Sequence, residues 1–377
     1  MARAAGTEDR VCGCGADKMS ACETGIAERG AFLIGVEDRI LVTGAAGFIG
    51  ARVIASLLER GYRNLGCFVR PSSDTTELEA ILEHHAERSR PEIIRGNLLS
   101  RQDCETACKD VAVILHLAAG TGEKSFPDAF MNSVVATRNL LDASLHCGHL
   151  RRFVLVSSFA VYTNQQRSTQ LDESCPTEEH PELRDAYCYA KMKQEQIVAE
   201  YGKNFGIPHV ILRPGSVFGP GSSGITGRVG LGTFGIFLHL GGSNTIPYTY
   251  VDNCADAIGL AGLVKGVDGE VFNVVDDDLP SSRRFLHQYK KNVRQFRSLY
   301  VPRLVSYGLC CLWEKYVNWS KGQLPLAFSE RRWYSEWRHT RYSNAKLKRQ
   351  LGWTPKVPMD EGMRRYFTGL AQKEPHA

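Results

Sequence analysis

Tyr187 and Lys191 stand four residues apart in "DAYCYAK" (185–191), a spacing that sets both side chains on one face of a helix. A phenol with a pKa of roughly 10 is a poor proton carrier at neutral pH, and an ammonium beside it stabilises the phenolate and draws that value down. Upstream, "VLVSS" ends in Ser158, whose hydroxyl can bond a substrate oxygen and steady developing alkoxide charge. The chemistry on offer is proton transfer at a carbonyl or an alcohol. Taken alone, the Tyr-x-x-x-Lys spacing is common and reads equally as an exposed helical pair. Tyr189 and Lys193 repeat it in overlap.

A redox partner for that proton transfer is suggested by "ILVTGAAGFIG" (40–50). Gly44, Gly47 and Gly50 follow an apolar strand and open a helix, the context that turns a weak glycine pattern into a dinucleotide fingerprint. Gly44 permits the tight turn, Gly47 lets backbone approach a pyrophosphate, and Gly50 lets helix and strand pack closely. The helix N-terminus then offers unpaired N–H groups to the anion. At the end of the second strand, where an acid would meet the ribose hydroxyls of NAD, the chain presents Arg70 with Ser72 and Ser73 beside it. A guanidinium pairs with a 2′-phosphate, so NADP(H) is preferred over NAD; the bland alternative is that Arg70 stacks on the adenine.

The elements that must position these groups alternate regularly from residue 39. Strand-like stretches at 40–43, "NLGCFV", "EIIRGNL", "VAVILHLAAG" and "RFVLVSS" are separated by helical runs at "ARVIASLLERG", about 75–86, and 127–147. Strands alternating with helices of this length mean βαβ units and a parallel sheet, an α/β doubly wound (Rossmann) fold. After residue 213 the rhythm changes: "GSVFGPGSSGITGRVGLGTFG" reads as a mobile loop, and "TIPYTYV" and "EVFNVVDD" as later strands. The expected organisation is a flexible extension over 1–36, a dinucleotide-binding domain over 37–213, and a smaller, mainly substrate-binding region over 214–377. Segments near 248–275 of that last region return to the core. All five tryptophans fall in the last hundred residues, so aromatic walls are expected around the substrate.

A 43% hydrophobic and 23% charged composition is that of an ordinary soluble globular protein. The net charge of +5 is mild, and no long basic run points to nucleic acid. "LVSYGLCCLW" (304–313) is too short to span a bilayer and reads as a core helix in preference to an interfacial membrane contact. No secretory leader is evident, and twelve cysteines in a chain of 377 residues fit reduced thiols in a cytoplasmic protein. Cys12, Cys14 and Cys22 lack a fourth ligand for a tetrahedral metal, so no metal is expected.

Together these motifs resemble the extended short-chain dehydrogenase/reductases, the NAD(P)-dependent epimerase/dehydratase superfamily. The resemblance covers roughly 38–370 and rests on "TGAAGFIG", "GNL" (96–98), "HLAA" (116–119), "VSSFAVY", "YCYAK", "LRPGSVFGP", "YTYVDN" and "LGWTP". It implies Ser158 over Ser157 as the catalytic serine, and Tyr187/Lys191 over the overlapping pair. Tyr187 would be the general acid/base, and Lys191 would also hold the nicotinamide ribose. Cofactor contacts carry over onto Phe48 and Ile49 beside the glycines, Asn97 at the adenine with Leu98, Leu117, Ala118, Ala119 and Pro214. Either Asn132 or Ser133 would serve at the position of the family's helical asparagine.

Ser216 and Ile246 occupy positions where nucleotide-sugar members carry an asparagine and an arginine, and Arg228 reads as a solvated loop residue. The pattern is nearer the 3β-hydroxysteroid dehydrogenase/dihydroflavonol reductase branch. It implies reversible hydride transfer between NAD(P)H and a secondary alcohol or ketone on a medium-sized, partly apolar molecule. The alternatives are a nucleotide-sugar 4-epimerase or dehydratase with tightly held NAD, and a non-catalytic dinucleotide-binding sensor. The helices near 127–147 and 186–203 resemble those that pair across a homodimer.

Overall fold

Strand residues Ile40, Leu41, Val42, Val113, Ile114, Phe153, Val154 and Leu155 have no exposed surface at all. Strands apolar on both faces belong inside a parallel sheet covered by helices. The computed structural model describes residues 32–85, 91–120, 125–163, 170–222, 224–233, 235–320 and 328–373. In it the strands Arg39–Thr43, Leu65–Val69, Glu92–Arg95, Val111–His116, Arg152–Val156, His209–Pro214 and Val271–Val274 form one seven-stranded parallel sheet. From one edge the order runs 271–274, 209–214, 152–156, 111–116, 39–43, 65–69, 92–95. The direction of winding reverses between the strands at 39–43 and 111–116, and a ligand crevice is expected beyond the carboxyl ends of strands at such a switch point.

Helix Phe48–Glu59 packs on one side beside helix Val251–Leu263, which is buried along almost its whole length. Helix Ala186–Phe205 lies on the other side. Asp185 caps its start by accepting a bond from the Cys188 N–H at 2.9 Å, and Gly206, at φ +70°, ends it. Between 126 and 145 the expected single helix is in fact three pieces: Phe126–Ala129, a widened π-type turn over Phe130–Val135, and Ala136–Leu145. Such wide turns insert an extra residue and re-aim side chains.

The glycine-rich stretch after Pro214 is more ordered than expected. Ser216–Phe218 pairs in parallel with Tyr248–Tyr250, and Gly230–Thr233 forms an antiparallel hairpin with Ile236–His239. Here glycine marks close approach of backbones: a Cβ on Gly230 would sit 1.9 Å from the Leu238 carbonyl oxygen. Strand Ser298–Tyr300 extends the hairpin on its Ile236–His239 side.

Several aromatic residues of the last hundred belong to the core. Trp333, Trp337 and Trp353 are buried, and Phe218, Tyr248, Phe285, Tyr366 and Phe367 pack ring against ring. The expected core helix at 304–313 belongs to helix Arg303–Trp319, and this corrects the reading: only Ser306, Cys310 and Val317 of it are buried, while Leu304 and Leu312 face outward. Of the extension expected over 1–36, residues 1–31 and the cysteines Cys12, Cys14 and Cys22 lie outside the described residues. Phe32 and Leu33 are tied to the end of helix Val251–Leu263, the Leu33 N–H donating to the Leu263 carbonyl at 2.6 Å. No helix among the described residues is long and apolar enough to cross a membrane.

Candidate active site

The glycine turn does what its sequence requires. Gly44 adopts φ +72°, a conformation that side chains resist, and its N–H donates to the Phe68 carbonyl at 3.1 Å. A Cβ on Gly50 would stand 2.1 Å from the Gly44 carbonyl oxygen, so no side chain fits there. Helix Phe48–Glu59 starts at this point without any side-chain cap, which leaves its first N–H groups directed at the space in front of the turn.

That space is a cleft of ≈ 580 Å³ along the carboxyl ends of the strands. Gly44, Gly47, Phe48, Ile49, Gly50, Arg70, Leu98, Leu117, Ala118, Ala119, Tyr187, Lys191 and Pro214 line it, as does Ser158. Asn97 does not: it is exposed, and its side-chain oxygen accepts a bond from the Leu99 N–H at 3.0 Å. Between the two candidates on the π-type turn, Asn132 lines the cleft, whereas Ser133 is buried and accepts the Gly120 N–H at 3.0 Å. Sequence reasoning passed over Asp74, which lines the cleft close to Arg70. One of its oxygens is held by the Thr76 N–H at 3.0 Å and the Thr76 hydroxyl at 2.7 Å.

These residues fit a nicotinamide dinucleotide: an uncapped helix start behind glycines that admit no Cβ, apolar walls from 117–119, and a guanidinium at one end. Ser157 adds a buried hydroxyl that has no hydrogen-bond partner among the described residues and belongs to the same lining.

At the opposite end, helix Ala186–Phe205 delivers Tyr187 and Lys191, and the strand Arg152–Val156 delivers Ser158 just past its last residue. Lys191 is buried, its Nζ 6.0 Å from the centre of the Tyr187 ring and donating to the Val156 carbonyl at 2.8 Å. Burial pushes its ammonium down to about 8, against the opposing pull of Glu195. The expected depression of the Tyr187 phenol is not what the protein alone produces. Burial raises it, and the hydrogen bond with the Ser158 side chain pulls it only part of the way back. The overlapping pair is elsewhere: Tyr189 packs edge-on against Phe126 and Lys193 reaches Gln196 at 3.0 Å.

Ser158, Tyr187 and Gly215 also line a second cavity of ≈ 420 Å³. The rest of its wall includes Arg184, Asp185, Ser216, Arg228, Arg332 and Glu336. The expected aromatic walls are absent among the described residues, where Phe159 and Tyr187 are the only rings on the lining. Arg228 is a wall residue fixed by the Ser335 carbonyl at 2.7 Å, which corrects its reading as a solvated loop side chain. Ile246 is buried in the aromatic core and does not reach the cavity. Arg184, Arg332 and Glu336 carried no sequence signal: the last two are neighbours on helix Glu330–Glu336, and nothing in the chain ties that helix to Arg184, far upstream.

A dinucleotide-type α/β fold and a Ser–Tyr–Lys set facing two adjoining cavities define the class. The profile of the NAD dependent epimerase/dehydratase family matches residues 40–274, and the chain belongs to that family. It is 27% identical over 346 residues to a trifunctional UDP-glucose 4,6-dehydratase/UDP-4-keto-6-deoxy-D-glucose 3,5-epimerase/UDP-4-keto-L-rhamnose-reductase of Arabidopsis thaliana, covering 88% of this chain and 47% of that protein. It is 31% identical over 191 residues to cinnamoyl-CoA reductase 1 of Oryza sativa subsp. japonica, covering 49% of this chain and 55% of that one. The chain thus spans about half the length of these curated relatives. Among solved structures, UDP-glucuronic acid 4-epimerase from Bacillus cereus, in complex with UDP-glucuronic acid and NAD, superposes with a TM-score of 0.66 at 23% identity. That match covers 89% of this chain and all (100%) of the other, and establishes the shared fold.

Proposed function

We propose that the protein catalyses reversible hydride transfer between a nicotinamide dinucleotide and a secondary alcohol or ketone. The observation that carries this reading is that Ser158 and Tyr187 form the shared wall of the two cavities, with Lys191 buried behind them. When bound, the dinucleotide supplies or accepts hydride at C4 of its nicotinamide. Tyr187 gives a proton to the carbonyl oxygen in reduction and removes it in oxidation. Ser158, bonded to the same phenol, orients that oxygen. Lys191 provides the positive charge that favours phenolate as the proton leaves. Measuring single turnovers with a panel of ketones tests this: Tyr187→Phe should lower the rate by roughly 10²–10⁴-fold. Unchanged turnover would sink the reading and favour a non-catalytic binding role.

NADP(H) is the preferred cofactor of this proposal. Arg70 and Ser73 sit at the cleft's end, and the nearby Asp74 is engaged by Thr76. A second reading, in which the reacting carbinol belongs to a nucleotide sugar, is favoured by the charged wall of the second cavity, with Arg184, Arg228 and Arg332 on it. Epimerisation or dehydration would show as a large thermal shift with UDP- or dTDP-sugars, co-purifying NAD and no net consumption of NADPH.

Homodimer formation through the helices at 126–145 and 186–205 belongs to the same proposal, and sedimentation at micromolar concentration tests it. So does a cytoplasmic location, supported by nine described cysteines that are all free thiols. Fractionation of the native cell tests that.

A further inference from the structure

Helix Arg303–Trp319 is apolar on two faces. One face is spoken for. Ser306 accepts the Trp333 indole N–H at 3.0 Å, Tyr307 packs on Trp333 with ring centres 5.0 Å apart, and Cys310 is buried with Trp333 and Trp337. The opposite face carries Val305, Leu309, Leu312, Tyr316 and Trp319 at alternating steps of four and three, a continuous stripe along one side of a helix. Trp319 is 78% exposed, Leu312 65% and Leu304, at the stripe's margin, 85%. The strand leading into the helix adds Leu299 and Tyr300, both exposed. Exposed apolar residues gathered into one continuous stripe, rather than scattered singly, mark a surface that calls for a contact.

Its surroundings are cationic. From Leu279 to Trp313 the chain has seven basic residues (Arg283, Arg284, Lys290, Lys291, Arg294, Arg297 and Arg303) and no acidic one. Two of them border the patch directly: the Arg283 guanidinium lies over the Tyr300 ring at 5.6 Å, and the Lys290 ammonium bonds the Ser298 hydroxyl at 2.6 Å, whereas Arg303 lies over Trp333 on the covered side at 5.3 Å. Arg284 is paired with Asp360 at 2.6 Å. An apolar stripe ending in tyrosine and tryptophan, with a margin of cations, matches the layered chemistry of an anionic bilayer surface: acyl chains for the leucines, the interface for the aromatic rings, phosphates for the cations. A second copy seated here by two-fold symmetry would bring the same cationic margin against itself. With 17 residues the helix lies along the membrane and does not cross it.

We infer that this face docks the protein on the surface of an anionic lipid bilayer. The assignment is independent of the reaction proposed above. Flotation of the full chain with phosphatidylcholine vesicles, and with vesicles that also contain phosphatidylserine, tests it. Binding should be at least tenfold greater on the anionic vesicles and should weaken in high salt. Leu309→Glu/Leu312→Glu should abolish it. Lys291→Gln/Arg297→Gln, on other elements, should weaken it by about fivefold for each cation removed. Both double variants alter exposed positions outside the site, so their melting temperature and dinucleotide affinity should stay unchanged. Equal binding to both vesicle types, or binding indifferent to either variant, overturns the inference. So does absence of binding by a wild type that sediments as a dimer which Leu309→Glu/Leu312→Glu dissociates; the face then belongs to a second copy.

Discussion

Arg213 and Glu195 meet as a two-pronged pair in the interior, Nε to Oε1 at 2.9 Å and Nη2 to Oε2 at 2.6 Å. Their side chains are only 8% and 9% exposed. The pair joins the strand His209–Pro214, whose end lines the cleft, to the helix that carries Tyr187 and Lys191. Glu195 is also the charge that holds the Lys191 ammonium up against burial. Removing one partner of a buried pair leaves the other charge uncompensated and costs about 3–5 kcal/mol. Glu195→Gln is therefore expected to lower the melting temperature substantially, and Glu195→Leu/Arg213→Met to recover much of the loss. Chemical denaturation of the three variants measures both.

The same relationship fixes a pH dependence. Lys191 is charged below about 8 and neutral above it, while Tyr187, pushed upward by burial, keeps its proton to higher pH. Reduction needs a protonated phenol beside a charged ammonium, so kcat/KM for the reduced dinucleotide should fall as pH rises through about 8. Glu195→Gln removes a charge that raises the Lys191 pKa, so in that variant the fall should begin at lower pH. A limb that stays in place would separate Glu195 from Lys191.

His116 offers a test on stability. It is fully buried between the Thr43 and Thr137 hydroxyls, each 2.8 Å away, and burial, with a contribution from Lys191, pushes it down to about 3. Its ring is neutral in the folded protein, whereas the unfolded chain binds a proton below roughly pH 6.5. Stability from this group is complete above that pH and declines on acidification toward 3 by about 1.4 kcal/mol per pH unit. Unfolding free energies between about pH 6 and 4 should carry that slope, and His116→Gln should flatten it.

At the glycine turn, Gly50→Ala forces a methyl group to within 2.1 Å of the Gly44 carbonyl oxygen. Backbone must move, at a cost of about 1–3 kcal/mol, and it moves where the pyrophosphate is expected. Dinucleotide affinity measured by calorimetry should fall roughly tenfold or more, beyond any loss in melting temperature.

Arg70→Ala should weaken NADPH binding by about ten- to a hundredfold and leave NADH nearly unaffected, because a charge-assisted bond to a 2′-phosphate contributes about 1.5–3 kcal/mol. Equal losses for both nucleotides would instead place Arg70 against the adenine.

The parallel strands and the glycine turn were legible because each depends on residues close together in the chain. Period and spacing report such features directly. The second cavity was not legible. Arg184, Arg228 and Arg332 come from three segments distant in the chain and meet only in the folded protein. Glycines at 215 and 230 looked like signs of mobility, yet they serve strands that approach too closely for a Cβ. Helix Arg303–Trp319 was misread for another reason: apolar residues on two faces show that it has two contacts, and say nothing about which one the protein itself supplies.

Helix Glu330–Glu336 is only seven residues long, and it has work on both sides. Arg332, Ser335 and Glu336 belong to the cavity wall, while Trp333 is the seat of helix Arg303–Trp319. One short helix thus stands between the outer helix and the cavity, with a tryptophan on one and two charged groups on the other.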